Sequence, residues 1–159
     1  MDTSKTGLAL EEYTVVPKRP LLLLNIASTL EQVSDAVAAV GNWLENEGID
    51  PECIGDITLV MAEALNNVIE HAYSFAPNET IQIRTTLRQS TMSVQIIDSG
   101  VPFDGPPPQI QQKEIGQEIA DLPEGGFGWF LIQRLCDDIH FAHADGKNKL
   151  TLVLAVRPL

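Results

Sequence analysis

Residues 51–73 read PECIGDITLVMAEALNNVIEHAY, and the fold of the chain turns on this stretch. Asp50 stands before it as a helix cap, and Pro51 occupies the first helical position, where a missing N–H costs nothing. Ile54, Ile57, Val60/Met61, Ala64/Leu65, Val68/Ile69 and Ala72 then recur at helical spacing to about Tyr73. The helix is apolar around most of its girth, which predicts burial. Yet it carries Glu63, Asn66, Asn67 and His71. Polar groups in a buried helix need partners, so these are the first functional suspects.

Upstream, Leu30, Val33, Ala36/Val37, Val40 and Leu44 predict a helix from Leu30 to about Glu47. Ser28 and Thr29 offer its cap, and Gly48 ends it. Two apolar or β-branched runs precede it, residues 10–17 and 21–27, read as strands parted by Pro17 and Pro20. Downstream, Thr80 to Leu87 and Thr91 to Asp98 alternate as two strands around the turn Arg88-Gln89-Ser90. A long loop follows from Gly100 to Gly126, with Pro102, Pro106, Pro107, Pro108 and Pro123, and room for a short helix over Glu114 to Asp121. Loops of this length are uncommon unless they are lids or binding loops. A helix from about Gly128 to Cys136 leads to two strands, Ile139 to Ala144 and Leu150 to Arg157, joined by a turn over Asp145 to Asn148. Strands in hairpins with grouped helices predict an α+β two-layer sandwich: a mixed or antiparallel sheet with helices on one face. Residues 1–159 are read as a single domain whose first nine residues fray.

The chain has 159 residues, 44% of them hydrophobic, which is enough for a core and excludes a disordered chain. Lys and Arg total 10 against 22 Asp and Glu, a net charge of -12. Direct binding to nucleic acid or an anionic membrane is excluded on that balance, because phosphate binding of that kind needs clustered Lys and Arg. No Lys or Arg lies between Arg19 and Arg84, where Glu31, Asp35, Glu45, Glu47, Asp50, Glu52, Asp56, Glu63, Glu70 and Glu79 all fall. The run Leu21 to Leu24 is too short for a membrane span and too deep for a signal peptide, so a cytoplasmic location is expected. Cys53 and Cys136 match no metal spacing and are read as reduced thiols.

Three segments carry chemistry. In Glu63-Ala-Leu-Asn-Asn67 the outer residues share one helical face, so a carboxylate and a carboxamide are presented together. A hard cation such as Mg²⁺ takes oxygen ligands, and an Asn oxygen serves without adding charge. Glu63 could hold a nucleophile's proton. Alone, the pair could equally solvate a helix face. Ile96-Ile-Asp98-Ser-Gly100 ends an apolar strand in an acid, which can accept from an adenine's exocyclic amine, with close backbone approach at the glycine. Alone, it reads more readily as a turn. Gly125-Gly126-Phe127-Gly128 precedes a helix, an arrangement that lets N–H groups and the helix dipole meet an anion. No dinucleotide fingerprint or Walker motif is present in the sequence.

In this order, with a proline-rich loop before the glycines, the three segments resemble the Bergerat-type ATP-binding fold. Histidine kinases, type II topoisomerases, mismatch-repair proteins and heat-shock chaperones share that fold. The wording Glu63-Ala-Leu-Asn-Asn-Val-Ile-Glu-His-Ala-Tyr73 and Gly125-Gly126-Phe127-Gly128-Trp-Phe-Leu-Ile-Gln-Arg-Leu-Cys-Asp137 is similar to the anti-sigma factor serine-kinase branch, over roughly residues 20 to 157. The resemblance implies that Asn67 ligates Mg²⁺ on the ATP phosphates and that Glu63 is the general base. It implies that Asp98 accepts the adenine amine, with Gly100 under the base. It places Gly125, Gly126, Phe127 and Gly128 at the phosphates, at the hinge of an ATP lid over 101–127. It further implies a partner of the STAS anti-anti-sigma type phosphorylated on Ser or Thr, a sigma factor or similar regulator as competing partner, and a homodimer to which Tyr13 to Ala27 could contribute.

His71 resembles a common family histidine and is expected to pack or support the helix. Trp129 stands where many relatives carry Leu and is expected to pack, and Phe103 and Asp104 extend the base-side loop. One departure stands out: some kinase members carry a basic residue just before the paired glycines, and here that position is Glu124. Phosphoryl transfer depends on stabilising the transferred charge. Three readings therefore follow: a Ser/Thr kinase of the anti-sigma type, a nucleotide-binding partner switch without catalysis, and a detached histidine-kinase ATPase domain.

Overall fold

The computed structural model describes residues 20–102 and 127–159. The expected strand over 10–17, the fraying of residues 1–9, the helix over 114–121, Phe103, Asp104, Glu124, Gly125, Gly126 and nearly all of the lid lie outside the described residues.

The elements run β1 (Leu21–Ala27), α1 (Leu30–Asn46), α2 (Pro51–Asn67), a π-helical turn (Val68–Ala72), β2 (Thr80–Arg88), β3 (Thr91–Asp98), α3 (Phe127–Leu135), β4 (Asp138–Ala144) and β5 (Lys147–Ala155). The sheet order is β1-β2-β3-β5-β4, and every described strand pair is antiparallel. This is the α+β architecture expected from the sequence.

Local chemistry explains the boundaries. Thr29 has extended backbone and accepts the Gln32 N–H at 3.2 Å, so it caps α1, and Gly48 ends that helix at φ 74°. Asp50 accepts the Glu52 N–H at 2.8 Å and caps α2. The last hairpin is tighter than the sequence suggests. Asp145 and Gly146 both take positive φ, 54° and 73°, as a two-residue turn requires. The strand β5 therefore starts at Lys147, and Asn148 lies inside it rather than in the turn.

The strands bury alternate residues. Ile81, Ile83, Met92, Val94, Ile96, Leu150, Leu152 and Leu154 form the floor of the core, and Val40, Leu44, Ile57, Met61, Leu65 and Ile132 of the helices close over it. Among the described residues no helix covers the opposite sheet face, and Leu21 and Leu23 of the edge strand β1 are exposed. The chain's end is fastened beside α2: Ile49 bridges Pro158, and Asp50 donates its N–H to the Arg157 carbonyl at 2.9 Å.

Candidate functional site

The helix α2 lies against both α1 and α3, so its polar residues emerge where α3 begins. Glu63 is half-buried. A Cβ placed on Gly128 would stand 2.5 Å from the Glu63 Oε2, so the glycine at the start of α3 makes room for that carboxylate. The carboxylate therefore sits at the positive end of the α3 dipole. Trp129 beside it is buried, as expected of a packing residue. The Phe127 backbone opens α3.

Asn67 closes the α-helical part of α2. It is buried, and its Nδ2 has no hydrogen-bond partner among the described residues. A buried amide end without a partner is costly, which marks the position as one awaiting a ligand. A half-turn of the carboxamide presents its oxygen there instead, so the residue fits a hard cation. Among the described residues no group of three or more His, Cys, Asp and Glu could hold a metal. A cation at Asn67 would thus draw most of its oxygens from a ligand and water, as Mg²⁺ commonly does with phosphates.

After Asn67 the helix widens into a π turn, closed by the Tyr73 N–H on the Val68 carbonyl at 3.1 Å. Such turns cluster at functional positions. The His71 side chain is 47% exposed, with its Nε2 3.9 Å from Glu70. Tyr73 turns inward. Its hydroxyl donates to the Thr80 carbonyl and accepts the Ser99 N–H, both at 2.8 Å. Burial first, and then the nearby Asp98 and Glu79 charges, push the phenol pKa up against the opposing effect of the Ser99 hydrogen bond, so it stays neutral and a donor. Ser74 and Phe75 follow at φ 47° and 63°, left-handed backbone that is uncommon away from glycine.

Asp98 ends β3, buried on the helix-covered face. Its Oδ1 accepts the Gly100 N–H at 2.9 Å and the Asn148 Nδ2 at 2.8 Å. Gly100 has no room for a side chain, since a Cβ would lie 2.3 Å from the Ala72 carbonyl oxygen. That carbonyl accepts the Val101 N–H at 2.9 Å, which ties the strand end to the π turn. Glu63 and Gly128 thus meet, with Asn67 one turn beyond Glu63, and Asp98 and Gly100 are linked to the π turn that follows α2. Gly125 and Gly126 lie outside the described residues. An open cavity of about 480 Å³ lies beside this region, lined by Tyr73, Glu79, Ser99 and Val101 among others, but not by Glu63, Asn67 or Asp98.

Sequence reasoning missed Tyr73 and Asn148. Asn148 was hidden by its place in an expected turn. Its signal was the Asp145-Gly146 pair, which specifies a two-residue hairpin and so puts Asn148 on the same face as Leu150. Cys136 is free, and burial, aided by Asp137, pushes its thiol up to about 12, which leaves it inert.

Comparison with known proteins agrees with this fold. The histidine kinase-like ATPase domain family matches residues 26–154. The serine-protein kinase RsbW of Bacillus thuringiensis is 32% identical over 116 residues, covering 72% of this chain and 70% of that protein. RsbW of Bacillus cereus is 28% identical over 129 residues, covering 80% of each chain. Two solved structures share the fold. The RsbU and RsbW domains of a Mycobacterium tuberculosis protein match with a TM-score of 0.62 at 20% identity, covering 87% of this chain but only 33% of that one. The SiaB–SiaC complex of Pseudomonas aeruginosa matches with a TM-score of 0.55 at 16% identity, covering 84% of this chain and 89% of that one. No described helix is long and apolar enough to cross a membrane. With the family match spanning most of its length, this chain belongs to the histidine kinase-like ATPase domain family.

Proposed function

We propose that the chain is a single-domain, cytoplasmic Ser/Thr protein kinase of the partner-switching type. It would use Mg-ATP to phosphorylate a STAS-type anti-anti-sigma protein and otherwise sequester a sigma factor or similar regulator. The observation that carries the reading is the buried amide of Asn67, unpaired among the described residues, one turn beyond Glu63, which itself rests on Gly128. The RsbW relatives, named serine-protein kinases, support the reaction class.

In this reading the Asn67 oxygen holds Mg²⁺, which supplies charge neutralisation on the phosphates when bound. Asp98 accepts the adenine amine, and Gly100 lets the base approach the backbone. Gly125, Gly126, Phe127 and Gly128 bring N–H groups to the phosphates, under a lid over 101–127. Glu63 orients the partner's hydroxyl and takes its proton as that oxygen bonds to the γ-phosphorus and the bond to ADP breaks. A homodimer is part of the same reading.

The test is to mix the protein with a STAS partner, Mg²⁺ and γ-labelled ATP. Label on the partner, lost in Glu63→Gln, supports the kinase. Glu124 before the glycine box favours a second reading, a nucleotide-binding switch without catalysis. Tight ATP binding with no label on the partner selects that reading and overturns the kinase.

A further inference from the structure

Three strands meet in one polar row at the end of the sheet, with Asp98 and Asn148 buried and His143 exposed. Asp98 of β3 lies opposite Asn148 of β5, and Asn148 lies opposite His143 of β4. The next row inward, Ile96, Leu150 and Phe141, is apolar and belongs to the core. Asp98 and Asn148 are only 6% and 2% exposed, so they are held by each other rather than by solvent.

The Asn148 amide can point only one way. Its Nδ2 faces three acceptors: Asp98 Oδ1 at 2.8 Å, the Gly100 carbonyl at 3.2 Å and the Val101 carbonyl at 3.4 Å. Turned over, the amide would set oxygen against three oxygens. Its Oδ1 therefore faces the His143 Nδ1, 2.8 Å away. An amide oxygen only accepts, so His143 must carry a proton on Nδ1. His143 does not touch Asp98. It holds the amide that does, and two donors on Oδ1 then fix the plane of the Asp98 carboxylate and present its other oxygen.

We infer that His143 is a positioning residue that sets base specificity, acting through Asn148 on Asp98. The inference rests on the ATP reading of the site. A fixed carboxylate accepts from the amine of adenine and opposes the carbonyl that guanine carries at the same ring position. When the Nδ1 donor is lost, the Asn148 oxygen loses its partner and the amide loses one of the contacts that hold it in place. The Asp98 carboxylate is then held less firmly, and the preference for adenine falls.

The experiment measures equilibrium binding of ATP and of GTP to the full chain for wild type, His143→Phe and His143→Asn. The Asn variant keeps a donor close to the place of Nδ1. His143→Phe is expected to cut the ATP-over-GTP preference about fivefold, the worth of one hydrogen bond, and His143→Asn to restore it. A loss of stability alone would lower both affinities together and leave their ratio intact. An unchanged ratio in His143→Phe, or no rescue by His143→Asn, overturns the inference. A wild type that binds neither nucleotide overturns the ATP reading and the specificity role with it. NMR of ¹⁵N-histidine judges the link itself: the Nδ1–H form is expected in wild type and its loss in Asn148→Ala, while an Nε2–H tautomer in wild type overturns the coupling.

Discussion

Asn67 is buried with its amide nitrogen unpaired among the described residues, so it contributes little to the fold it sits in. Leaving such a group without a partner costs on the order of 1–3 kcal/mol, which offsets its packing. Asn67→Ala is therefore expected to leave the melting temperature unchanged or raised while abolishing Mg-dependent nucleotide binding, checked by thermal melts and calorimetry on one preparation. The two described site glycines should behave oppositely. At Gly100 an added Cβ meets backbone, the Ala72 carbonyl, and nothing there can yield. Gly100→Ala should cost about 3 kcal/mol in denaturant unfolding. At Gly128 the added Cβ meets the mobile end of Glu63, which can move aside. Gly128→Ala should hold or gain stability, by up to about 1 kcal/mol from helix propensity, yet lose phosphoryl transfer because the Glu63 carboxylate is displaced.

At the scale of elements, the π turn after α2 decides what reaches the site. An α-helix continued to Tyr73 would set His71 one turn below Asn67. The wider turn exposes His71 and instead brings the Tyr73 hydroxyl between β2 and β3. Tyr73→Phe removes both bonds of that hydroxyl. It is expected to cost about 1–3 kcal/mol of stability and to weaken ATP binding, since the Ser99 N–H next to Asp98 loses its anchor. The raised phenol pKa has a sign. Its stabilising effect is fully present below the ordinary value of 10.0 and is lost as pH rises through the higher folded value. Wild type should thus lose stability at alkaline pH more steeply than Tyr73→Phe, which pH-dependent melts would show.

Across the whole molecule, charge is divided between layers. The helices α1 and α2 fall in the stretch without Lys or Arg and α3 carries Arg134, whereas the sheet face turned away from the helices carries Arg84 opposite Leu23 and Lys149 opposite Ile97. The net charge of -12 repels free ATP, and none of the proposed site residues is basic. Raising salt screens repulsion, so ATP affinity at fixed Mg²⁺ should hold or rise between about 50 and about 300 mM salt. A steep fall in that titration would mean that Lys or Arg side chains hold the phosphates.

The sequence by itself determined the described strands and α-helices and the α+β architecture, through local chemistry: apolar spacing of 3.6 or 2, with Thr29 and Asp50 as caps. It offered Glu63, Asn67, Asp98, Gly100 and Gly128 as candidates through the resemblance of their segments to a known family, since local chemistry alone reads them equally as a solvated helix face and a turn. Only the tertiary structure decided what those residues touch. The one-residue widening at Val68–Ala72 leaves no mark in hydrophobic periodicity, because Val68, Ile69 and Ala72 are apolar in either helix. The steric reasons for Gly100 and Gly128 lie in the Ala72 carbonyl and the Glu63 carboxylate, 28 and 65 residues away in the chain. Asn148 and His143 join the site through cross-strand register, which pairing across the sheet sets and linear spacing does not.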